Sequence, residues 1–208
     1  MGTIQPSLVG FEHIKRFFDR RRQIVVAKVL PGEFYVTKEN EIVSTVLGSC
    51  ISACIWEEKL GIGGMNHFML PVKRDEHGAD GWQGDLSYTC RYGHWAMEYL
   101  INEIIKYGGR RENMLAKVFG GGKIVPNMSD VGASNIQFVR HFLQQESIPV
   151  IAHDVGGPWP RKVIFHPNSG MAKIKKLKSL HNDTIQARES IYRKDIEKNE
   201  QESDIELF

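Results

Sequence analysis

The stretch Ile42-Val43-Ser44-Thr45-Val46-Leu47-Gly48-Ser49-Cys50 and the apolar run that follows it to Trp56 decide the fold. Two β-branched, apolar segments of strand length lie on either side of the Gly48-Ser49 turn, and such segments bounded by turn residues are typical of β-strands. The thiol of Cys50 therefore comes directly after a strand and a tight turn, at the end of a sheet.

Further strand-like segments surround this stretch on both sides. They span residues 24–30, 34–36, 62–71, 115–119, 148–151, 162–165 and 171–177. Apolar residues repeat near a period of 3.6 in 90–107 and 134–145, which predicts two helices, and the polar, glycine-containing segment 72–88 predicts a long loop. About eight short strands, two main helices and no regular βαβ repeat favour an α/β fold of α+β character, a layered sandwich with mixed or antiparallel strands.

The two ends of the chain differ from the body at 25–180, which we expect to be one folded domain. In residues 1–24, aromatic and aliphatic residues recur at helical spacing among lysines and arginines, which predicts a basic amphipathic arm with a helix at Phe11–Phe18. Such a helix either packs on the domain or docks on an acidic partner or a membrane surface. Residues 181–208 carry eight acids against four bases and are expected to be disordered or a frayed helix.

Charge and composition exclude several classes of function. The net charge is +2, but the segment 181–208 carries −4, so the other 180 residues hold 23 of the 27 bases and 17 of the 25 acids, a net charge of +6. These 180 residues are too weakly basic to indicate nucleic-acid binding. No apolar run of membrane-spanning length and no secretory signal is expected. Three cysteines are too few for a disulfide framework, which favours a reducing, cytoplasmic location.

Cys50 and His67 are candidates for a nucleophile and its base. A histidine beside a cysteine favours the thiolate, which is the nucleophilic form, and a third group must then hold the imidazole in one tautomer. Ser44 and Thr45 both offer a hydroxyl, and strand alternation lets only one of them face the site, without telling which. The N–H groups of the turn at Gly48–Cys50 are candidate donors to an oxyanion.

Other interpretations of the same residues remain open. A single buried cysteine or histidine is more often a core residue than a catalytic group. A zinc site is a second possibility, but the spacing contains neither CxxC nor HExxH; its candidate ligands are Cys50, Cys54, His67, Cys90 and His94. The glycines at 120–122 lack the pattern of a phosphate loop, so close backbone packing is favoured.

A set of segments, taken in chain order, carries a family resemblance. They are STVLGSC at 44–50, GGMNHFMLP at 63–71, RYG at 91–93 with AME at 96–98, KVFGG at 117–121, NI at 135–136, DVGG at 154–157 and RKV at 161–163. Together, over about residues 30–178, they resemble the CheD family of chemoreceptor glutamine deamidases. The resemblance implies a three-layer α/β sandwich, with the body at 25–180 as a CheD-like catalytic domain. It also implies a cytoplasmic protein-glutamine glutaminase that converts glutamine side chains of methyl-accepting chemotaxis receptors to glutamate.

The resemblance also implies roles for individual residues. Cys50 matches the family's nucleophile and His67 its histidine, while the third member is usually a threonine six positions before the cysteine, where this chain has Ser44. Either Ser44 takes that role or its neighbour Thr45 does. Ser134 is a second departure, since the family commonly has arginine there.

The partners that the resemblance implies are the cytoplasmic helices of chemotaxis receptors and a CheC-like phosphatase, and no metal or cofactor is expected. The same machinery would accommodate hydrolysis of a glutamyl methyl ester. A competing interpretation is a non-catalytic adaptor that binds receptor helices or a CheC-like phosphatase without turnover.

Overall fold

A computed structural model describes residues 4–71, 86–124, 131–178 and 183–205. Two five-stranded sheets form within these ranges. The first contains, in spatial order, β1 (Lys15–Asp19), β2 (Ile24–Lys28), β4 (Glu41–Leu47), β9 (Arg161–His166) and β10 (Met171–Lys176). The second contains β3 (Phe34–Thr37), β6 (Ile62–Asn66), β5 (Ile51–Glu57), β7 (Met114–Gly120) and β8 (Val150–Val155). The described helices are α1 (Leu86–Lys106), α2 (Val131–Gln145) and α3 (Asp183–Ile205).

Both sheets are mixed. β2 pairs with β4 and β7 pairs with β8 in parallel, while the other neighbours within each sheet are antiparallel. The α/β fold with mixed strands, which the sequence predicts, is confirmed. The two helices expected from apolar periodicity are α1, which begins four residues earlier than predicted, and α2.

The second sheet lies between the first sheet and the helices α1 and α2. On one of its faces Trp56 of β5 contacts Phe165 of β9, with ring centroids 5.8 Å apart. On the other face α1 and α2 cover β5, β6 and β7. Within the second sheet, Gly63 and Gly64 of β6 permit close approach of the neighbouring strands, because an added side-chain carbon would collide with Trp56 of β5 at the first position and with the backbone of Tyr35 of β3 at the second.

The N-terminal segment corrects one prediction, since β1 forms where the sequence indicates a helix. Phe17 pairs with Val26 and Phe18 with Val25 in the antiparallel ladder of β1 and β2. Arg16 of β1 also forms an ion pair with the buried Glu41 of β4. The pairing satisfies the backbone groups of an edge strand, and this tertiary contact overrides the helical spacing of the apolar residues.

The C-terminal segment forms a long helix with one buried face. Ile185, Glu189 and Ile196 of α3 are all buried, whereas the acidic composition of this segment predicts disorder or a frayed helix. The predicted loop at 72–88 falls largely outside the described residues. Among the helices that the structure describes, none combines the length and apolar character needed to cross a bilayer.

Candidate active site

Cys50 lies where the chain passes from the first sheet to the second. β4 ends at Leu47 and β5 begins at Ile51, so the turn Gly48-Ser49-Cys50 connects the two sheets. Cys50 itself is fully buried. A residue at this crossing can contact side chains from both sheets, which neither sheet alone could bring together.

The glycine run at the end of β7, residues 120–122, packs against this turn. Gly121 donates its N–H to the carbonyl of Cys50, and Gly122 donates to the carbonyl of Gly48, both at 2.7 Å. Gly120 and Gly121 have φ values of +116° and +64°, a region that favours glycine. The run therefore serves close backbone packing, as the sequence favours, and its partner is the Cys50 turn.

His67 follows β6 and lies beside the turn. Ile51 and Phe68 exchange two backbone hydrogen bonds, at 2.9 and 3.0 Å, which join the segment after Cys50 to the segment after His67. The thiol of Cys50 and a ring nitrogen of His67 are within 4.8 Å of each other. The structure thus brings together the two residues that the sequence singles out as nucleophile and base.

Thr45 sets the tautomer of the imidazole. Its hydroxyl donates to the carbonyl of Val29 at 2.8 Å, and the hydroxyl oxygen lies 2.7 Å from Nδ1 of His67. Because the hydroxyl proton is used on Val29, the oxygen accepts from Nδ1–H, and Nε2 is the unprotonated nitrogen. Nε2 is buried and has no hydrogen-bond partner among the described residues, so it is the nitrogen left to act as a base.

Ser44 points away from the imidazole. Its hydroxyl donates to the carbonyl of Val163 in β9 at 3.0 Å. Successive side chains of a strand face opposite sides of the sheet, and on β4 it is Thr45 that faces the site. Of the two hydroxyls that the sequence leaves open, the structure brings Thr45 to His67 and places Ser44 outside the site.

Glu189 of α3 also lies at the site, although the sequence pattern does not single it out. One carboxylate oxygen accepts the N–H of Gly48 at 2.8 Å and that of Cys50 at 3.2 Å. The other accepts the N–H of Ser49 at 2.8 Å and its hydroxyl at 2.6 Å. Three consecutive N–H groups of the Cys50 turn therefore hold an anion, as convergent backbone donors do in an oxyanion hole.

Burial and this carboxylate shape the protonation of the site. Burial raises the pKa of the Cys50 thiol well above its usual range, and the charge of Glu189 raises it further. Burial lowers the pKa of His67 to about 4, although the charge of Glu189 works in the opposite direction. The sequence predicts a lowered thiol pKa beside a histidine. In the structure the pKa of the thiol is raised instead, because the thiol is desolvated and because its neighbour Glu189 is an anion.

Asn135 of α2 connects the two halves of the site. Its side-chain N–H donates to the carbonyl of Ser49 at 2.9 Å, and its side-chain oxygen accepts the N–H of Leu70 at 2.8 Å. Asn135 is fully buried. It therefore fixes the turn that carries Cys50 relative to the segment that carries His67.

The proposed zinc ligands are not brought together as a set. Cys50 and His67 form a group with Glu189, whose donor atoms lie within 4.8 Å of one another, and Zn²⁺ accepts sulfur, nitrogen and oxygen ligands of this kind. Both oxygens of Glu189 are, however, already bound by N–H and O–H donors that a cation would have to displace. Cys54 is buried within β5, and His94 packs on aromatic rings of α2. The side chain of Cys90 falls outside the described residues.

A thiol, a basic imidazole nitrogen, a hydroxyl that orients the ring and backbone donors for an anion are the groups that define a cysteine hydrolase site. A family model described as CheD chemotactic sensory transduction matches residues 69–176, just over half of the chain. The chain belongs to the CheD family.

Similar proteins match over almost the whole chain. A "Probable chemoreceptor glutamine deamidase CheD" of Halorhodospira halophila is 46% identical over 207 residues, which are 99% of this chain and 95% of that protein. A protein of the same name from Hahella chejuensis is 44% identical over 97% of this chain and 94% of its own length. A "Probable chemoreceptor glutamine deamidase CheD 1" of Shewanella oneidensis is 43% identical over 99% of this chain and 98% of its own length.

Proposed function

We propose that this chain is a protein-glutamine deamidase of the cytoplasm that converts glutamine side chains of chemotaxis receptors to glutamate. The names of its relatives support this substrate. The observation that carries the proposal is that the Cys50 thiol, a ring nitrogen of His67 and three N–H donors meet at one buried turn, and that Nε2 of His67 has no partner among the described residues.

In the first half of the reaction, Nε2 of His67 takes the proton of the Cys50 thiol. The sulfur then attacks the carboxamide carbon of the receptor glutamine, and the carbonyl oxygen becomes an oxyanion that the N–H groups of Gly48, Ser49 and Cys50 stabilise. The imidazolium gives its proton to the amide nitrogen, the C–N bond breaks, and ammonia leaves. A thioester between Cys50 and the receptor side chain remains.

In the second half, Nε2 of His67 takes a proton from water, and the resulting hydroxide attacks the thioester carbon. The C–S bond breaks, the thiol of Cys50 recovers its proton from the imidazolium, and the receptor keeps a glutamate. Thr45 is a positioning residue throughout, because it binds Nδ1–H and keeps Nε2 on the side of the sulfur. A glutamyl methyl ester would follow the same steps with methanol as the leaving group.

The partner of this site is a receptor helix that carries the target glutamine. The net charge of +6 on residues 1–180 favours encounter with acidic helices. We propose a CheC-like phosphatase as a second partner on the family resemblance alone.

The test measures ammonia release and the glutamine-to-glutamate mass change in a purified receptor cytoplasmic fragment. The full-length protein should deamidate the fragment, and Cys50→Ala and His67→Ala should abolish the reaction. Cys54→Ala is the matched control, since Cys54 is a second buried free cysteine, four residues further along in β5 and outside the site. Binding of the fragment without any mass change would instead establish the adaptor that competes with this proposal.

A further inference from the structure

The buried face of α3 has a charged residue at its centre. Ile185, Glu189, Tyr192 and Ile196 follow one another at spacings of four, three and four residues, so they share one face of the helix. Both isoleucines are buried, and Glu189 is only 6% exposed. A buried carboxylate is costly unless it is hydrogen-bonded, so its placement needs a specific partner.

That partner is the catalytic turn itself. The four hydrogen bonds of Glu189 come from Gly48, Ser49 and Cys50, the donors that the mechanism assigns to the oxyanion. Gly48 leaves room for the carboxylate, because an added side-chain carbon there would lie 2.8 and 2.9 Å from its two oxygens. The carboxylate therefore occupies a place made for a substrate or product oxygen.

A deamidated receptor presents a glutamate, and α3 presents a glutamate from a helix. We propose that α3 is a built-in product mimic, which holds Glu189 where the receptor's new glutamate lies and so competes with the receptor helix for the site. This inference rests on the proposed function.

Other contacts hold α3 in this position. The hydroxyls of Tyr192 and Tyr92 of α1 are hydrogen-bonded to each other, and Gln186 donates to the carbonyl of Ile124 at 3.2 Å. A pocket beside His67 is lined by Arg188 and Glu189 of α3 together with Lys28 of β2. The release of α3 would therefore open the site to a receptor helix along the side of the imidazole.

The protonation of the site agrees with an inhibited state. The charge of Glu189 adds to burial in raising the pKa of the Cys50 thiol, so the docked helix disfavours the thiolate that the reaction needs.

The most direct test replaces the carboxylate at position 189 by a carboxamide, which is the group that the enzyme hydrolyses. In full-length Glu189→Gln, the introduced carboxamide should lie beside Cys50 and be hydrolysed to glutamate by the steps given above, with ammonia as the leaving group. Mass spectrometry of the peptide that contains position 189 should show conversion, at a rate independent of protein concentration. The double variant Cys50→Ala/Glu189→Gln should keep the amide. Gln186, one turn earlier on α3, is an internal control that should stay a glutamine in every sample.

A second measurement uses the receptor fragment. Glu189→Ala should lower KM at unchanged kcat, by roughly tenfold if α3 is docked about nine-tenths of the time. Asp195→Ala, which removes an acid from an exposed position of the same helix, should leave KM as in the parent protein.

The outcomes separate the mimic from the proposed function. Receptor turnover with no conversion at position 189, conversion that depends on protein concentration, or an unchanged KM in Glu189→Ala would each overturn the mimic. Conversion at position 189 without receptor turnover would support the mimic and contradict the receptor as substrate. Failure of both reactions would contradict both proposals.

Discussion

The Thr45 hydroxyl lies 2.7 Å from Nδ1 of His67, although the two residues come from different sheets. Thr45 belongs to β4 of the first sheet, and His67 follows β6 of the second. The crossing at Gly48–Cys50 brings them together, so the relative position of the two sheets determines the orientation of the imidazole.

Replacement of Thr45 should therefore reduce catalysis without removing the nucleophile. In Thr45→Val the shape of the side chain is kept, but Nδ1–H loses its acceptor, and the imidazole can adopt the wrong tautomer. We expect kcat for receptor deamidation to fall by one to two orders of magnitude, within the contribution that general acid–base catalysis makes. Initial rates of ammonia release measure the change, and Thr45→Ser should restore most of the activity because it returns the hydroxyl.

Ser44→Ala is the comparison that separates the two hydroxyls. It removes the hydrogen bond to Val163 and leaves the contact between Thr45 and His67 in place. We expect a kcat close to that of the parent protein. A loss in Ser44→Ala that equals the loss in Thr45→Val would contradict the assignment of the positioning role to Thr45.

Asn135 should matter for both stability and activity. Asn135→Leu leaves the carbonyl of Ser49 and the N–H of Leu70 buried without their partner, and one such group costs about 1–3 kcal/mol. The free energy of unfolding, measured with urea, should fall by at least this amount, and kcat should fall as well because the Cys50 turn is no longer tied to the His67 segment. Gln137→Ala, at an exposed position of the same helix, should change neither quantity.

Local pattern was enough to predict most of the strands around the site. Residues 42–47 and 51–56 were expected as strands, and β4 and β5 span Glu41–Leu47 and Ile51–Glu57. Apolar runs bounded by glycine and charged turns carry this information locally. Chemistry and spacing only permit a pair of Cys50 and His67, and the family resemblance is what implies it. Strand alternation alone cannot choose between Ser44 and Thr45. That choice depends on β9, which lies more than a hundred residues away along the chain and accepts a hydrogen bond from the Ser44 hydroxyl.

The two ends of the chain show what local pattern misses. The spacing of apolar residues predicts a helix where β1 forms. The strand depends instead on pairing with β2 and on the contact of Arg16 with Glu41, neither of which is visible in the local pattern. Glu189 is one of eight acids in the last 28 residues, and nothing adjacent to it in sequence marks it as buried. The available signal was the helical spacing of Ile185, Tyr192 and Ile196, which indicates a buried face with Glu189 on it.

The low pKa of His67 predicts a loss of stability in mild acid. The imidazole is neutral in the folded protein down to a pKa of about 4, whereas in the unfolded chain it binds a proton near its ordinary value of about 6.5. The unfolded state therefore binds more protons between these values, and stability falls as the pH falls through that window. The contribution of His67 is about 3 kcal/mol between pH 7 and pH 4.

Urea unfolding at a series of pH values measures this effect. His67→Gln removes the titrating group, so its free energy of unfolding should depend less steeply on pH between 4 and 6.5 than that of the parent protein. Equal slopes in the two proteins would show that the imidazole of His67 is not held neutral by burial.

Glu189 should also control the reactivity of the Cys50 thiol. Burial and the charge of Glu189 both raise the pKa of this thiol. Glu189→Ala removes the charge, and release of α3 would also reduce the burial. The thiolate fraction at a given pH should then rise, and alkylation by iodoacetamide should begin at lower pH. Mass spectrometry of the peptide that contains Cys50, after timed alkylation from pH 6 to 10, gives the profile. Asp195→Ala controls for the loss of a charge from α3. A profile of Glu189→Ala that coincides with that of the parent protein would mean that the carboxylate does not act on the thiol, since loss of its charge and release of α3 both favour faster alkylation.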